Sequence, residues 1–301
     1  MSLKLIKQKI VSTRKTGKVT RAMEAVSAVK MRKTQERAFA ARSYARSAVR
    51  MLANISRMNE SAIAPYIVRD LTNSHALLVL VTSDKGLAGA VNSAVLKLAD
   101  SFLAKHTCDF VCIGRKAVEY AERQGATILH KETNIADDVP LDEVEHVTKV
   151  VLDAFLTGTY GTVYVLYQNF ITTFEQKPLV RQVLPLNPEG LDAMVREIVP
   201  KAGKYSNLTE EAPGAAVEYL IEPSAEDLMP ELVSELVHVA IYHALIEHKA
   251  SEHSARMVAM KNATDKSKEI AKSLTLKFNK ARQAAITAEV SEITAGAATV
   301  G

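Results

Sequence analysis

Two short stretches of the 301-residue chain carry the residue types best suited to chemistry. The first, residues 83–89 (SDKGLAG), follows an apolar run and precedes a helical pattern, the position at which phosphate-binding loops occur. It matches neither the G-x-x-x-x-G-K-S/T loop nor the G-x-G-x-x-G fingerprint. We therefore predict a plain turn between a strand and a helix, with nucleotide binding as the alternative.

The second stretch holds four histidines at five-residue intervals, His238, His243, His248 and His253. Metal ligands share one face of a helix when they are four residues apart, whereas steps of five turn successive side chains by about 140°. We predict instead that two of them pair with carboxylates one turn later on the helix surface, His243 with Glu247 and His248 with Glu252. A metal site is the alternative.

Cys108 and Cys112 lie four residues apart in a run that has the composition of a strand. We predict reduced, half-buried thiols on one face of that strand rather than a zinc site or a disulfide, which fits a reducing compartment. No Ser, Cys or carboxylate constellation elsewhere suggests a nucleophile or an acid–base pair. The sequence therefore predicts no catalytic, cofactor-binding or metal-binding residues, and argues against an enzyme acting through its own side chains.

Charge is distributed very unevenly along the chain. Fractions of 48% hydrophobic and 24% charged residues exclude a disordered or collagen-like protein, and the formal net charge is only +4. Residues 1–58 nevertheless hold 7 Lys and 8 Arg against 2 Glu, a net +13, which leaves −9 for the remainder. This segment needs an anionic partner or a solvent channel. The basic stretch around Lys30–Lys33 leaves a nucleic-acid adaptor open as an alternative function.

The elements that must position these residues begin with two long helices at the ends of the chain. In residues 3–58, without Pro and with one Gly, apolar or small residues recur at intervals of three and four: Val19, Ala22, Val26 and Val29, then Ala38, Ala41, Ala45, Ala48, Leu52 and Ile55. In residues 231–295 a heptad seam runs without a slip from Leu236 to Ala288, and many of its positions are Ala, Thr, Ser or His.

These helices would be about 84 Å and 98 Å long, whereas a compact globule of this chain length is about 50 Å across. We therefore predict an elongated protein in which the two helices pack as an antiparallel coiled coil. Because the small seam residues bury little apolar surface, we also predict that other chains sheathe part of it.

The middle of the chain alternates apolar strands with helices. We predict strands at 76–82, 110–113, 127–129 and 162–167, and helices at 87–105, 115–124 and 141–156. Residues 184–214 hold four of the nine prolines and are predicted as loop, with a short helix at 192–198 and a final strand at 217–221. The predicted fold is α/β, with a small Rossmann-like domain at 74–222 inserted between the coiled-coil helices at 1–58 and 224–301.

The same ends carry a family resemblance. Residues 18–33 (KVTRAMEAVSAVKMRK) resemble the amino-terminal helix of the gamma subunit of F-type ATP synthase, and residues 250–265 and 278–297 resemble its carboxy-terminal helix. Ser83–Leu87 adds a third match. Departures from the family pattern are Ala88, where Cys is usual in bacterial members, Ala90 for Gly, Phe278 for Tyr and Thr299 for Ala or Ser.

The resemblance implies a central rotor shaft. Its partners would be a head of alpha and beta subunits, the epsilon subunit and the c-subunit ring, and its contact with a membrane would be made only through the complex. Rotation of the c ring by ion flow would drive each beta subunit through the states that bind, form and release ATP. The nucleotide sites would belong to the partners, and no nucleic acid or cofactor would be bound.

The resemblance also implies roles for individual positions. Arg282, Gln283 and Thr287 are similar to residues that contact the catch loops of the beta subunits, and Met23 and Arg256 to residues that couple the shaft helices to a beta subunit. Tyr219 and Glu222 resemble the segment that meets the c-ring loops.

The first residues lack the apolar stretch of a secretory signal, and the chain has no run of about 18 apolar residues. We therefore expect no membrane span of its own. Together with the resemblance, this places the expected location at the cytoplasmic side of a bacterial plasma (inner) membrane, as a peripheral subunit.

Overall fold

A computed structural model describes residues 2–58, 66, 74–186 and 224–300 of the chain. Its helices are α1 (Leu3–Met58), α2 (Val91–Leu103), α3 (Arg115–Gln124), α4 (Leu141–Leu156) and α5 (Ala225–Val300). Its strands are β1 (Ala76–Val81), β2 (Cys108–Ile113), β3 (Ile128–Glu132), β4 (Thr162–Phe170) and β5 (Gln176–Leu184). The chain forms two compact units: Met1–Ser27 with Arg256–Gly301, and Ala28–Ala255. Both long helices contribute residues to each unit.

The larger unit, Ala28–Ala255, contains one five-stranded sheet in the order β3-β2-β1-β4-β5. The first four strands are parallel and β5 pairs antiparallel with β4, Gln168 lying opposite Pro178. The predicted α/β class is confirmed, and α3 and α4 have the predicted bounds. The start of α2 was predicted at Leu87 but lies at Val91, β3 extends to Glu132 instead of Leu129, and β5 was not predicted at all.

Each face of the sheet is covered by a different set of helices. On one face α2 and α3 pack Val95, Ala99 and Tyr120 against Leu78 and Phe110. The other face is covered by α4 and by the first part of α5, which together contribute Val144, Val147, Val151, Met229, Val233, Val237, Ile241 and Leu245. The long C-terminal helix is therefore part of the core of the α/β unit.

The connection from β2 to α3 depends on a glycine. Gly114 has φ 91° and ψ 146°, a conformation that residues with a Cβ rarely adopt, and a Cβ there would lie 2.1 Å from the carbonyl oxygen of Thr82. The close approach lets the Thr82 hydroxyl accept a hydrogen bond from the Ala117 amide at 2.7 Å. Thr82 thus joins the end of β1 to the first turn of α3.

The smaller unit, Met1–Ser27 with Arg256–Gly301, is an antiparallel helix pair. The Thr20 and Thr264 hydroxyls are 2.7 Å apart, and a Cβ on Gly17 would lie 3.2 Å from Ser267 Cβ. From the Gly17–Ser267 contact to the Thr20–Thr264 contact, the residue number rises on α1 from 17 to 20 and falls on α5 from 267 to 264. The two helices are therefore antiparallel. The buried positions of α1 here are Ile6, Ile10, Thr20 and Ser27.

The first part of the predicted seam of α1, from Val19 to Val29, is wrong, because Val19, Val26 and Val29 are 55–59% exposed. The side chains of its second part, from Ala38 to Ile55, lie outside the described residues. Around Gly17 and Thr20 small and hydroxylic residues form the contact instead, Gly17 against Ser267 and Thr20 against Thr264. On α5 the predicted seam is buried from Leu236 to Ala271 except at Met257, whereas Ala285 and Ala288 are exposed.

Cys108 and Cys112 are free thiols on one face of β2 and are buried, 8% and 0% exposed, rather than half-buried. Burial among apolar side chains raises the pKa of each thiol to about 12. Both are therefore protonated and unreactive at neutral pH.

Within the described part of the chain, none of the helices is long and apolar enough to cross a membrane.

Replacement of Gly114 by Ala should destabilise the full chain by about 3 kcal/mol or more, because it combines a disfavoured backbone conformation with a steric overlap. Gly125, with φ 64° and open space at its Cβ position, provides the control. The Gly125→Ala variant should lose only about 1 kcal/mol, the cost of the left-handed conformation. Urea unfolding followed by circular dichroism measures both; equal losses would contradict the role of the Thr82 contact.

Candidate functional site

Ligands of doubly wound α/β folds bind beyond the carboxyl ends of the parallel strands, where the chain connections diverge. In this protein that edge is in contact with α5. The Ser251 hydroxyl donates to the Gln168 carbonyl at 3.1 Å, and the Ser254 hydroxyl donates to the Thr173 carbonyl in the loop after β4. In the loop after β1, Gly89 has Ala255 3.9 Å from its Cβ position. The protein's own helix thus lies where such folds place a ligand.

The turn at residues 83–89 forms internal contacts instead of an open phosphate loop. Asp84 Oδ1 accepts a hydrogen bond from the Arg115 amide at 2.9 Å, which places a carboxylate of the chain itself at the N-terminus of α3. The Ser83 amide donates to Asn92 Oδ1 at 3.0 Å, and Asn92 Nδ2 donates to Ser83 Oγ at 2.6 Å. The predicted plain turn is what the structure has, and its polar groups support α2 and α3.

The predicted surface position of the histidine–carboxylate pairs is wrong. His243 and Glu247 do form an i,i+4 pair, with Nε2 3.5 Å from Oε1, but both side chains are buried, as are His248 and Glu252. The cause is the α/β unit, which encloses this part of α5. His248 Nδ1 accepts the Gln168 amide at 3.3 Å, and desolvation lowers the pKa of this histidine to about 4, so it is neutral.

Among the described residues, no three His, Cys, Asp or Glu side chains converge on a point that could hold a metal ion.

The loop between β3 and α4 joins both long helices. Lys249 Nζ donates to the Ile135 carbonyl at 2.8 Å, and His253 Nε2 lies 3.0 Å from Asp137 Oδ1. The other carboxylate oxygen of Asp137 forms an ion pair with Lys30 Nζ of α1 at 2.5 Å. The His253 hydrogen bond, with that of Lys30, holds the pKa of Asp137 well below its usual range.

Sequence reasoning missed Asp137. It lies in a loop, in no motif and on no periodic face, and its partners are 107 and 116 residues away in the chain. The only local signal is an acidic pair, Asp137-Asp138, which has nothing to distinguish it from a solvated turn.

The three residues predicted to contact catch loops lie on the exposed end of α5. The side chains of Arg282, Gln283 and Thr287 are all exposed, and the Thr287 hydroxyl donates to the Gln283 carbonyl one turn earlier, at 3.0 Å. Gln283 and Thr287 share a face because they are four residues apart, and Arg282 lies about 100° from Gln283 around the helix. Their side chains are accessible to another protein.

The remaining predicted positions are less exposed. Met23 is half-buried on α1 and Arg256 is buried, with 8% of its surface exposed, on α5. Both belong to the smaller unit. Tyr219 and Glu222 lie outside the described residues, as do the segments predicted as a short helix and a final strand.

Two cations of the basic stretch are paired within the chain, Lys30 with Asp137 and Arg32 with Glu36. Their charge is therefore partly neutralised, which weakens the case for a helix that binds nucleic acid through residues 14–33.

Comparison with known proteins identifies the family. A family profile described as ATP synthase matches residues 2–300. An ATP synthase gamma chain from Herminiimonas arsenicoxydans is 38% identical over 99% of both chains, and one from Methylibium petroleiphilum is 40% identical, also over 99% of both. The chain belongs to the ATP synthase gamma chain family. The expected family is confirmed.

Chains of two solved ATP synthase structures have the same fold. A chain of the Euglena gracilis mitochondrial ATP synthase, solved with OSCP, F1 and the c-ring, aligns with a TM-score of 0.65 at 17% identity, covering 99% of this chain and 94% of that one. A chain of the Tetrahymena thermophila central stalk and c-ring aligns at 0.58 with 23% identity, covering 81% and 99%. At these identities the likeness concerns the fold alone.

Replacement of Thr20 by Val should destabilise the helix pair by about 1 kcal/mol, because the Thr264 hydroxyl, which donates to the Met260 carbonyl, loses its donor from α1. The Thr20→Val, Thr264→Val double variant should lose less than the sum of the single losses. Thr16→Val, on the exposed face of α1, is the matched control and should have little effect. Additive losses in urea unfolding would rule out the buried pair.

Proposed function

We propose that the chain is the central rotor shaft of an F-type ATP synthase and carries no catalytic site of its own. In this proposal, ion-driven rotation of the c-ring turns the chain, and the chain forces the catalytic beta subunits through their conformations in sequence. Its partners are the alpha and beta subunits, the epsilon subunit and the c-ring. The location we propose is the cytoplasmic side of a bacterial plasma membrane, by attachment through the complex.

One observation carries this proposal: α5 continues past the start of α1. The Gly17–Ser267 and Thr20–Thr264 pairs share one register, which places Leu3 opposite about residue 281. Every residue from Arg282 to Ala295 is exposed, and Ile286, Val290 and Ile293 form an apolar stripe that is 51–71% exposed. A single helix of this length is only marginally stable in water, so contacts with surrounding chains would stabilise it.

Charge supports the same partners. The smaller unit has 15 Lys and Arg against 5 Asp and Glu, a net +10, and the larger unit has 23 against 29, a net −6. A cationic helix pair suits acidic surfaces of surrounding subunits. In the proposal Arg282, Gln283 and Thr287 contact the catch loops of beta subunits, Met23 and Arg256 couple the shaft to them, and Tyr219 and Glu222 meet the c-ring.

The functional division we propose follows the chain: helices 1–58 and 224–301 form the shaft, and residues 74–222 form the part that meets the c-ring and the epsilon subunit. The carboxyl edge of the sheet supports a non-catalytic role, because Ser251, Ser254 and Ala255 of α5 occupy the place where such folds bind a ligand.

Purification of the tagged chain from its own host tests the proposal. We expect alpha-type and beta-type ATPase subunits to be recovered with it, and ATP hydrolysis to be present in the complex but absent from the isolated chain. Recovery without these subunits would contradict the proposal. Binding of nucleic acid that weakens steeply with salt would favour the adaptor instead.

Replacement of Arg282 or Gln283 by Ala should reduce ATP-driven turnover of the assembled complex by about fivefold or more, the effect of losing a hydrogen bond of about 1 kcal/mol to a partner. Ala is a strong helix former, so α5 should stay intact. The matched control is Lys280→Ala, an exposed cation of the same helix. Turnover equal to that of the control would remove these residues from the contact.

A further inference from the structure

The feature that the proposed function does not use is the connection between the β3–α4 loop and the two long helices. Asp137 bonds to both of them: one carboxylate oxygen pairs with Lys30 of α1, and the other is 3.0 Å from His253 of α5. All three residues belong to the larger unit. Lys249, one turn before His253, adds a hydrogen bond to the Ile135 carbonyl of the same loop.

The two contacts of Asp137 differ in how far they are buried. The His253 side chain is 3% exposed, so its Nε2 has little access to water and depends on a protein partner such as the carboxylate. Asp137 is 38% and Lys30 44% exposed at the side chain, which leaves the ion pair at the rim of the unit. The inner contact to α5 is therefore the stronger part, and the outer contact extends it to α1.

The rest of the contact between α5 and the sheet is different in kind. Its apolar residues, among them Val233, Val237, Ile241 and Leu245, lie in the close-packed core and resist displacement through packing rather than through bonds between defined atoms. Hydrogen bonds and ion pairs between defined atoms weaken when either partner turns. The polar contacts therefore add a directional constraint on rotation of the α/β unit about the helix to the constraint that packing provides.

We propose that Asp137 is a positioning residue that fixes the α/β unit against rotation about both long helices, so that torque applied to this unit reaches the shaft. This inference rests on the proposed rotor function. It assigns to one residue the transfer of torque from the α/β unit, which the c-ring turns, to the helices that act on the beta subunits. The pKa of Asp137, which the hydrogen bonds from His253 and Lys30 hold well below its usual range, agrees with the assignment.

The test uses the assembled complex in vesicles and measures two rates on the same sample: ATP hydrolysis and ATP-driven ion uptake. For Asp137→Ala we expect ions moved per ATP to fall by about fivefold or more, as for loss of a charged hydrogen bond of at least 1 kcal/mol. Hydrolysis should continue, since the head and the exposed end of α5 are unchanged. A role in folding alone would lower both rates together, through less assembled complex.

Two further variants make the test specific. Asp138→Asn removes an exposed neighbouring carboxylate and should behave as the unmodified chain. Asp137→Glu retains the charge and should recover most of the coupling lost in Asp137→Ala.

Charge reversal keeps the test decisive if Asp137→Ala fails to assemble. Lys30→Asp and Asp137→Lys should each reduce ions moved per ATP, and the double variant should recover part of the loss, because it restores an ion pair between positions 30 and 137 with the charges exchanged. An unchanged ratio in Asp137→Ala, or in both single charge variants, would overturn the assignment of Asp137. Failure of the unmodified chain to form a coupled complex would instead overturn the proposed function.

Discussion

The burial of polar side chains on α5 is the constraint on which much of this structure depends. Between His243 and Ser254 the helix passes the carboxyl edge of the sheet with histidines, carboxylates, a lysine and serines almost wholly removed from water. Such groups are costly to bury unless they find partners. The loops after β3 and β4 and the end of β4 provide them, through the carbonyls of Ile135, Gln168 and Thr173 and the carboxylate of Asp137.

The contact between α5 and the sheet explains why this domain has the fold of nucleotide-binding domains but no open ligand site at its carboxyl edge. The strand order, the parallel pairing and the turn after β1 are those of a doubly wound domain. The groups that would meet a phosphate are occupied by the chain itself, with Asp84 at the start of α3 and Thr82 bonded to Ala117. The edge that elsewhere receives a ligand here holds a helix.

The helix pair of the smaller unit is held together by residues of a different kind. Gly17, Thr20, Thr264 and Ser267 bring the helices together through small side chains and a buried hydroxyl pair, which bury little apolar surface. Valines that would strengthen a self-sufficient coiled coil, such as Val19 and Val26, face outward. A pair of this kind suits a shaft whose outer surface meets other chains, and the apolar stripe on the exposed end of α5 continues that surface.

The sequence by itself determined the elements whose signals are local. The bounds of α3 and α4, the existence of both long helices and the α/β class follow from periodicity over consecutive residues, which depends only on the covalent chain. β5 was missed because Pro178 and several polar residues obscure its pattern, and a proline is tolerated there because β5 is an edge strand.

Tertiary structure alone decided which face of α1 is buried, why His243 and His248 lie in an interior, and why Asp137 joins Lys30 and His253. Those outcomes depend on groups 80 or more residues apart in the chain, or on a neighbouring helix. Spacing along one helix fixes the direction of a side chain relative to its neighbours in sequence, but the partner it meets is fixed only by packing.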